Sequence, residues 1–363
     1  MPAARLRACP GPWCRSAAEG DSLVRSKTAW RRAAWGEGRP LAEVGEGRAL
    51  EALIELAGPP PPGAAVAPGD DAADLGPLSG GPVLLSTDSL CEDVDFRRQY
   101  QSPYQVGWKA WMAAASDLAA MGARVDGGLA AALVPDLATE NELMAIQLGL
   151  VEAAAADSAR VLGGDLSRTP GPLAVTVTVM GHMEAGRPVA LGGGSPGELL
   201  VLTGSVGAAA MALQLLESGQ AAVPPPWLER LLLPTARVEA GVALQRGGVR
   251  AMTDISDGLL LDLSRLCRAS RVGAELWLDR VPLAPGSAPG CDQLRSALSG
   301  GEDFELLAAI PEPDLEPLRS RWEEALPPLA VVGRLVSGGG VVLRSRPGGD
   351  VVTLQGIDGY RHF

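Results

Sequence analysis

A hydroxyl- and carboxylate-bearing stretch follows a strand-like segment early in the chain. The apolar run Val83-Leu84-Leu85 has the length of a short strand and leads directly into Ser86-Thr87-Asp88. Hydroxyl and carboxylate oxygens are the ligands that hard cations such as Mg²⁺ prefer. Most aspartates near loops are solvated or cap a turn, so one such triplet means little. It becomes a candidate metal site only if other acidic segments join it.

Further acidic segments, each beside glycine or other small residues, occur along the chain. We interpret them, together with Ser86-Thr87-Asp88, as one multi-metal site for phosphate groups. The chain has only two histidines, which disfavours a zinc site or a Ser-His-Asp triad. Neither a Walker A sequence nor a kinase glycine-rich loop is present, so bound ATP must be held through metal bridges. The further segments are Gly69-Asp70-Asp71, Ser116-Asp117, Gly163-Gly164-Asp165, Asp254-Ile255-Ser256-Asp257-Gly258 and Gly300-Gly301-Glu302-Asp303.

Each of these segments also has a purely structural explanation. Asp254-Ile255-Ser256-Asp257 is typical of a helix start in which Ser256 is the cap, and we expect Asp262 on the exposed side of that helix. The Gly-Gly-Asp segment is typical of a turn, and Gly301-Glu302-Asp303 of a hairpin. Asp117 is different, because it ends a run of small residues that a helix normally buries. A buried carboxylate needs a partner or a metal.

Composition and charge exclude several classes of protein. The 363 residues are enough for two domains, and the contents of 47% hydrophobic and 20% charged residues are typical of a soluble globular protein. No apolar run approaches the ~18 residues of a spanning helix, so we expect no membrane partner. The net charge of −12 disfavours a nucleic-acid partner. The five scattered cysteines predict a cytoplasmic location.

The chain divides into a basic extension and two halves in which strands alternate with helices. Residues 1–44 contain eight basic and four acidic residues and are predicted to be a disordered extension. The segment Gly192–Gly197 predicts a hinge between an N-terminal domain at 45–190 and a C-terminal domain at 197–363. The alternation predicts an α/β or α+β fold. Expected elements include helices near 103–121, 138–157, 259–269 and 313–325, and strands near 127–134, 174–180, 199–202 and 304–310.

The ordered set of motifs resembles the thiamine-monophosphate kinase family. That family belongs to a superfamily that also includes aminoimidazole ribonucleotide synthetase and selenophosphate synthetase. The likeness covers about residues 45–363, and the block Ser-Asp-Leu-Ala-Ala-Met-Gly-Ala from Ser116 is its most specific part. The other motifs are Gly-Asp-Asp-Ala-Ala at 69–73, Ser86-Thr87-Asp88, Gly-Gly-Asp165 followed by Arg168, Asp254-Ile-Ser-Asp-Gly-Leu, Ser299-Gly-Gly-Glu-Asp-Phe-Glu-Leu and the terminal Gly359-Tyr360-Arg-His-Phe.

The resemblance implies a fold, a reaction and a set of site residues. The fold is two-domain and PurM-like: an N-terminal α/β domain whose sheet forms a barrel across a homodimer, and a C-terminal α+β domain. The reaction is Mg²⁺-dependent, direct in-line phosphorylation of thiamine monophosphate by ATP, the last step of thiamine diphosphate biosynthesis. By resemblance, the catalytic residues are Asp88 and Asp117; Mg²⁺ is held by Asp71, Ser86, Thr87, Asp88, Asp117, Asp165, Asp254 and Asp257; ATP contacts Gly164, Asp165, Arg168 and Ser256; and the thiamine phosphate contacts Asp95, Glu302 and Tyr360.

Three positions depart from the family pattern. Asp95 stands where the family usually has a histidine, Leu191 aligns with an arginine that contacts ATP, and Ala114 replaces a common asparagine. An acid at position 95 repels the substrate phosphate unless a metal or the thiazolium cation compensates for it. Two alternatives therefore stay open. One is a related ATP-dependent enzyme of the superfamily, and the other is a non-catalytic homologue that binds thiamine phosphate or a nucleotide.

Overall fold

The computed structural model describes residues 27–59, 82–220, 222–288 and 290–354. Within these ranges the chain forms two mixed β-sheets with helices packed on them. None of these helices is both long enough and apolar enough to cross a lipid bilayer. The strands are β1 Val83–Cys91, β2 Arg124–Pro135, β3 Val161–Thr169, β4 Ala174–His182, β5 Leu199–Thr203, β6 Ala251–Asp254, β7 Gly273–Trp277, β8 Leu306–Ile310, β9 Leu329–Val336 and β10 Gly340–Arg344. The helices are α1 Leu41–Val44, α2 Glu46–Ala57, α3 Pro103–Ala120, α4 Glu140–Ala156, α5 Ala208–Glu217, α6 Pro225–Leu232, α7 Val238–Arg246, α8 Leu259–Ser270, α9 Gln293–Ser299 and α10 Glu312–Arg319, with a 3₁₀ helix at Leu278–Arg280.

Local sequence determines where the two long helices of the first half begin. Both α3 and α4 start with a capping box, formed by Ser102 and Gln105 in one case and by Thr139 and Glu142 in the other. Pro103 occupies the first helical position of α3, where its missing N–H costs nothing. These signals explain why the predicted helices near 103–121 and 138–157 agree closely with the structure.

The first sheet has the strand order β1-β4-β2-β3, with β2 and β3 parallel and the other pairs antiparallel. Helix α3 lies against one face of this sheet, and α4 packs beside α3. The two helices approach so closely that a Cβ on Gly107 would lie 2.0 Å from the carbonyl oxygen of Ile146. A Cβ on Gly149 would likewise lie 2.1 Å from the carbonyl oxygen of Tyr104. Glycine at these two positions therefore allows α3 and α4 to pack in close contact.

The opposite face of the first sheet carries exposed apolar side chains. Leu85 is 68% exposed, Leu129 42% and Leu133 44%. The alternation of a β-strand places these residues on the face away from α3. In the part of the chain that the structure describes, this sheet is open and does not close into a barrel. A barrel formed across a dimer therefore stays a prediction.

The second sheet is covered on both faces. Its strand order is β10-β7-β9-β5-β8-β6, and all pairs except β10 with β7 are antiparallel. Val201 and Leu306 belong to the core that includes α3 and α7, whereas Leu200 and Leu307 belong to the core that includes α8. Burial on both faces explains why β5 and β8 are almost wholly apolar. Helix α3 contacts β6 and α7 as well as the first sheet, so it joins the two halves.

Two predicted elements differ from the structure. Helix α10 ends at Arg319 instead of near residue 325, and Pro317 lies within it. Strand β3 continues through Gly163-Gly164-Asp165, for which a turn was the structural alternative in the sequence interpretation. A Cβ on Gly164 would lie only 1.7 Å from the carbonyl oxygen of Ala130, so glycine allows the two backbones to approach within the sheet.

Residues 27–44 pack against the first domain, whereas the sequence predicted a disordered extension over 1–44. The indole of Trp35 stacks on Phe96 with ring centroids 6.3 Å apart, and its N–H donates to the carbonyl oxygen of Gln101 at 2.7 Å. The guanidinium of Arg98 lies 4.3 Å from the centre of the Trp35 ring. The prediction missed this contact because Phe96 is distant in sequence. Residues 1–26 lie outside the described residues.

We predict that Trp35 stabilises the folded protein measurably. Replacing it by alanine removes the stack on Phe96 and the hydrogen bond to Gln101, and should lower the free energy of unfolding by about 2 kcal/mol. Trp35→Phe retains a stacked ring and should lose less than half as much. Urea denaturation followed by circular dichroism measures both variants. An unchanged midpoint for Trp35→Ala would show that residues 27–44 are not part of the cooperative fold.

Candidate active site

A cleft of about 450 Å³ lies between the two halves of the chain. The end of β1 and the loop that follows it form one wall. Helix α5, the loop after β6 and the segment before β8 form the other. The cleft thus collects acidic segments that are far apart in sequence. The predicted site residues in its lining are Asp88, Asp95, Ser256, Asp257 and Glu302. Two other predicted residues, Asp71 and Tyr360, lie outside the described residues.

The alternation of β1 separates the three residues that the sequence grouped first. Ser86 faces α3, where its hydroxyl donates a hydrogen bond to a carboxylate oxygen of Asp117. Thr87 points to the open face of the sheet, where its hydroxyl lies 3.0 Å from that of Thr178. Asp88 lines the cleft. Ser86 and Asp88 therefore lie on the side of Asp117, whereas the Thr87 side chain does not.

The two halves of the chain meet at a buried hydrogen bond. The hydroxyl of Ser116 in α3 donates to a carboxylate oxygen of Asp254 at 2.6 Å. Burial raises the pKa of Asp254 to about 7, and the Asp117 carboxylate adds to the shift. Burial also raises the pKa of Asp117, which the hydrogen bond from Ser86 partly offsets. Among the described residues, no lysine or arginine forms an ion pair with Asp117 or Asp254.

These two carboxylates fit a divalent cation. They are buried beside hydroxyl oxygens and have no cationic partner in the part of the chain that the structure describes, so a bound Mg²⁺ would stabilise their ionised forms. The described residues do not, however, contain a ready group of three or more aspartate, glutamate, histidine or cysteine side chains. The donor atoms present can thus supply only part of a ligand set.

The loop after β6 is held by a carboxylate that the sequence interpretation placed on the solvent side. Asp262 is buried, and one of its oxygens accepts the backbone N–H groups of Ser256, Asp257 and Gly258 at 3.1–3.2 Å. Helix α8 begins after Gly258 and has no side-chain cap, so Ser256 is not the predicted cap and Asp262 instead holds the loop that precedes the helix. Burial raises the pKa of Asp262 to about 6 despite these hydrogen bonds. The prediction of an exposed Asp262 was wrong because the loop folds back over the helix.

Two acidic segments meet directly beside the cleft. A Cβ on Gly301 would lie 2.2 Å from the carbonyl oxygen of Ser256, so only glycine allows this approach. The backbone N–H of Glu302 donates to the carbonyl oxygen of Ser256 at 2.9 Å, and that of Phe304 donates to Ile255 at 2.9 Å. The structure thereby places Ser256, Asp257 and Glu302 on one wall.

The sequence interpretation gave no role in the site to Lys109 of α3. Its side chain is only 1% exposed, and its ammonium group donates to the backbone carbonyl oxygen of Asp95 at 2.7 Å. The same group forms an ion pair with Glu302. Lys109 thus joins the two walls of the cleft. A signal was available, because a lysine within the apolar run of α3 cannot lie in solvent when that helix is buried.

Asp95, the first departure from the family pattern, closes the turn after β1. One of its carboxylate oxygens accepts the backbone N–H of Cys91 at 2.8 Å. The contact is typical of an aspartate that stabilises a turn. The partial positive charge of the Cys91 N–H stabilises the negative carboxylate. Asp95 also lines the cleft, so the same residue stabilises the turn and belongs to the candidate site.

The predicted ATP residues on β3 do not join the cleft within one chain. Strands β1 and β3 are the two edges of the first sheet, so their backbones are roughly 14 Å apart at a spacing of about 4.8 Å per strand. Asp165 is exposed on the open face and accepts a hydrogen bond from Ser167 at 2.8 Å. Arg168 pairs with Asp136 at 3.3 Å. A single chain therefore leaves Gly164, Asp165 and Arg168 apart from Asp88 and Asp117.

Comparisons with known proteins agree in pointing to one family. The chain matches the family models described as AIR synthase related protein, N-terminal domain, at residues 69–183 and C-terminal domain at 195–346. It is 30% identical over 305 residues to thiamine-monophosphate kinase of Bacillus subtilis (strain 168), covering 81% of this chain and 92% of that relative. The crystal structure of thiamine-monophosphate kinase from Stenotrophomonas maltophilia K279a is 31% identical with a TM-score of 0.74, covering 82% of this chain and 96% of that one. A structure of AaThiL complexed with AMPPCP and TMP is 27% identical with a TM-score of 0.69, covering 89% and 98%.

We predict that Lys109 and Glu302 are energetically coupled. Lys109→Met leaves the Glu302 carboxylate and the Asp95 carbonyl without their cation, and should lower the free energy of unfolding by about 2–3 kcal/mol. Glu302→Gln alone should cost less, since the lysine retains the carbonyl oxygen. In the double variant the loss should be smaller than the sum of the two single losses. Urea denaturation of all four proteins measures the coupling, and strictly additive losses would contradict it.

Proposed function

Because the chain belongs to the thiamine-monophosphate kinase family, we propose that it transfers the γ-phosphoryl group of ATP to thiamine monophosphate. The products are thiamine diphosphate and ADP. The observation that carries the proposal is the cleft between the two halves, which gathers Asp88, Asp95, Ser256, Asp257 and Glu302. The relative that was solved with AMPPCP and TMP supports the same pair of ligands.

The lining of the cleft suits a cationic aromatic ligand. Leu90, Val94, Leu213 and Phe304 supply apolar surface, and the acidic side chains come from both walls. A thiazolium ring has a positive charge on an apolar body, so it can use both kinds of contact. Lys109 fixes the position of the Glu302 carboxylate through their ion pair. A cationic ring beside Asp95 would also offset the repulsion expected between this carboxylate and the substrate phosphate.

The proposed reaction needs charge neutralisation more than it needs a general base. The phosphate monoester of the acceptor has a second pKa of ~6, so it is largely ionised at neutral pH and can attack in line. Bound Mg²⁺ would offset the repulsion between the two polyanions. The described residues that would hold Mg²⁺ on this side of the sheet are Ser86, Asp88, Asp117, Asp254 and Asp257; the predicted ligand Asp71 lies outside the described residues. The apolar side chains of the cleft limit the access of water to the reacting phosphate.

We further propose that two copies of the chain close their open sheets into one barrel. The open face bears the exposed side chains of Leu85, Leu129 and Leu133, and exposed apolar side chains grouped on one face of a sheet favour an interaction surface. Closure would also remove the edges at β1 and β3. If the two-fold axis runs along the barrel, β1 of one protomer lies beside β3 of its partner. Asp165 of the partner subunit would then approach Thr87 and complete the predicted ligand set.

The cysteines support a reducing compartment for this reaction. Cys91, Cys267 and Cys291 are free thiols in the part of the chain that the structure describes. Burial raises the pKa of Cys267 to about 11, so its unreactive thiol form persists at neutral pH. We therefore propose a cytoplasmic location, where ATP and Mg²⁺ are also available.

We predict that the purified protein forms thiamine diphosphate and that Asp117 is required. Asp117→Asn should lower kcat by at least about 100-fold, because it removes a negative charge that would hold Mg²⁺ at the reacting phosphates. The surface variant Asp279→Asn is the matched control and should retain full activity. Chelation by EDTA should abolish product, and excess Mg²⁺ should restore it. Chromatographic separation of the thiamine phosphates measures the product. Full activity of Asp117→Asn, or of the metal-free protein, would reject the proposed mechanism.

We predict that two inactive variants restore activity when they are mixed. Asp117→Asn and Asp165→Asn should each be nearly inactive alone. If Asp165 acts across the dimer, each mixed dimer contains one site with both changes and one intact site. After unfolding and refolding an equal mixture, half of the dimers are mixed, so about one quarter of the wild-type activity should return. The assay is the same measurement of thiamine diphosphate. An inactive mixture would place Asp165 in the site of its own chain.

Glutamate substitutions at two exposed leucines test the proposed dimer, one in the proposed interface and one outside it. Leu85 is 68% exposed on the open face, whereas Leu137 is 88% exposed in the loop after β2. Leu85→Glu places a charge in the proposed barrel and should yield a monomer by light scattering after size exclusion. Leu137→Glu adds the same charge elsewhere and should leave the dimer intact. Complementation should be lost only in the Leu85→Glu background.

A further inference from the structure

A second cavity, separate from the cleft, contains two arginine side chains in its wall. Its volume is about 390 Å³, and it shares no lining residue with the cleft. Arg230 and Arg237 line it together with the hydroxyl-bearing residues Ser205 and Thr235. We call this cavity the arginine pocket. Its size falls within the range of small-ligand sites.

A completely buried carboxylate holds the two arginines in position from behind. Glu305 accepts hydrogen bonds from the Nε and Nη2 groups of Arg237 at 2.9 and 2.6 Å, and one from Nη2 of Arg230. The hydroxyl of Thr203 supplies a fourth at 2.7 Å. A carboxylate offers about four acceptor sites, so Glu305 is saturated. The other N–H groups of both guanidiniums must find partners elsewhere, and both side chains line the arginine pocket.

The balance of charge around the arginine pocket favours an anion. Two guanidiniums face one contacting carboxylate, which leaves an excess positive charge. Asp303 lies nearby and binds the backbone N–H of Gly207 at 2.9 Å, but burial raises its pKa well above the ordinary value, which favours its neutral form. Glu229 lines the rim and is exposed, so solvent and salt screen its charge. In a chain with a net charge of −12, this cavity is a local site of positive charge.

We propose that the arginine pocket binds a phosphate group, either as free inorganic phosphate or as a small phosphate monoester. Two guanidiniums fixed by a buried carboxylate are preorganised for the tetrahedral oxygens of phosphate. Ser205 and Thr235 offer hydroxyl donors to the same anion. Leu233 and Ala284 provide an apolar wall for the organic part of an ester. This site is distinct from the cleft and does not depend on the proposed function.

The arginine pocket and the cleft lie on neighbouring parts of the same helix. Ala208 at the start of α5 lines the arginine pocket, whereas Ala209 and Ala210 line the cleft. Glu302 lines the cleft, and Glu305, three residues later, holds the two arginines of the arginine pocket from behind. A test of the arginine pocket must therefore separate it from phosphate binding in the cleft.

Titration calorimetry with inorganic phosphate, in EDTA without Mg²⁺, provides that separation. The acidic cleft has no metal under these conditions, so we expect one saturable site per chain with a Kd of ~1 mM or below. Thr235→Glu places a carboxylate in the wall without removing any partner of Glu305, and should weaken binding at least tenfold. Thr235→Gln is the matched uncharged control and should bind within about threefold of wild type. Asp117→Asn alters the cleft alone and should bind like wild type.

Phenyl phosphate in place of phosphate distinguishes the two ligand sources, since tighter binding of the ester indicates use of the apolar wall.

Two results would overturn the proposal. The first is the absence of saturable binding, which would make the arginines structural partners of Glu305 only. The second is binding that Asp117→Asn changes and Thr235→Glu does not, which would assign the phosphate to the cleft. Arg237→Met is a less useful variant, because it removes two of the hydrogen bonds to the buried Glu305 and can unfold the protein. The pair of Thr235 variants avoids that difficulty.

Discussion

The hydrogen bond from Ser116 to Asp254 fixes the distance between the two halves of the molecule at their acidic side chains. It is buried, and α3 brings Ser116 to it while packing on the first sheet. An unpaired hydroxyl or carboxylate at this depth would be costly, so the two halves are held in register. The cleft beside this contact depends on that register. Asp254 comes close to the hydrogen-bonded pair Ser86 and Asp117 only because the domains meet there.

Five acidic residues in or beside the cleft divide into two physical classes. Some are satisfied by the protein: Asp95 and Asp262 accept backbone N–H groups, and Glu302 pairs with Lys109. Asp117 and Asp254 accept hydroxyl groups but form no ion pair with a lysine or arginine of the described residues, and burial raises the pKa of both. The first class shapes loops and walls. The second keeps an unbalanced charge that a bound cation can neutralise, which is the electrostatic basis of the proposed phosphoryl transfer.

The two sheets differ in how many of their faces are buried within one chain. The second sheet is buried on both sides, so its central strands are continuous apolar runs. The first sheet is covered on one side, yet Leu85 and Leu133 on its other side are as apolar as core residues. That combination supports the proposal that the open face packs against a second copy of the chain. In the proposed dimer, Asp165 of the partner subunit would supply the contact that a single chain lacks.

The sequence by itself determined the local elements and the family, and tertiary structure decided which charges meet. Capping boxes and short-range periodicity are local signals, so α3, α4 and β4 could be predicted closely. The ordered acidic motifs likewise indicated the cleft residues Asp88, Ser256 and Glu302. The burial of Asp262 and the ion pair between Lys109 and Glu302 depend on contacts between distant segments, which no local pattern specifies. The separation of Asp165 depends on strand order, because two strands that look alike in sequence can lie at opposite edges of one sheet.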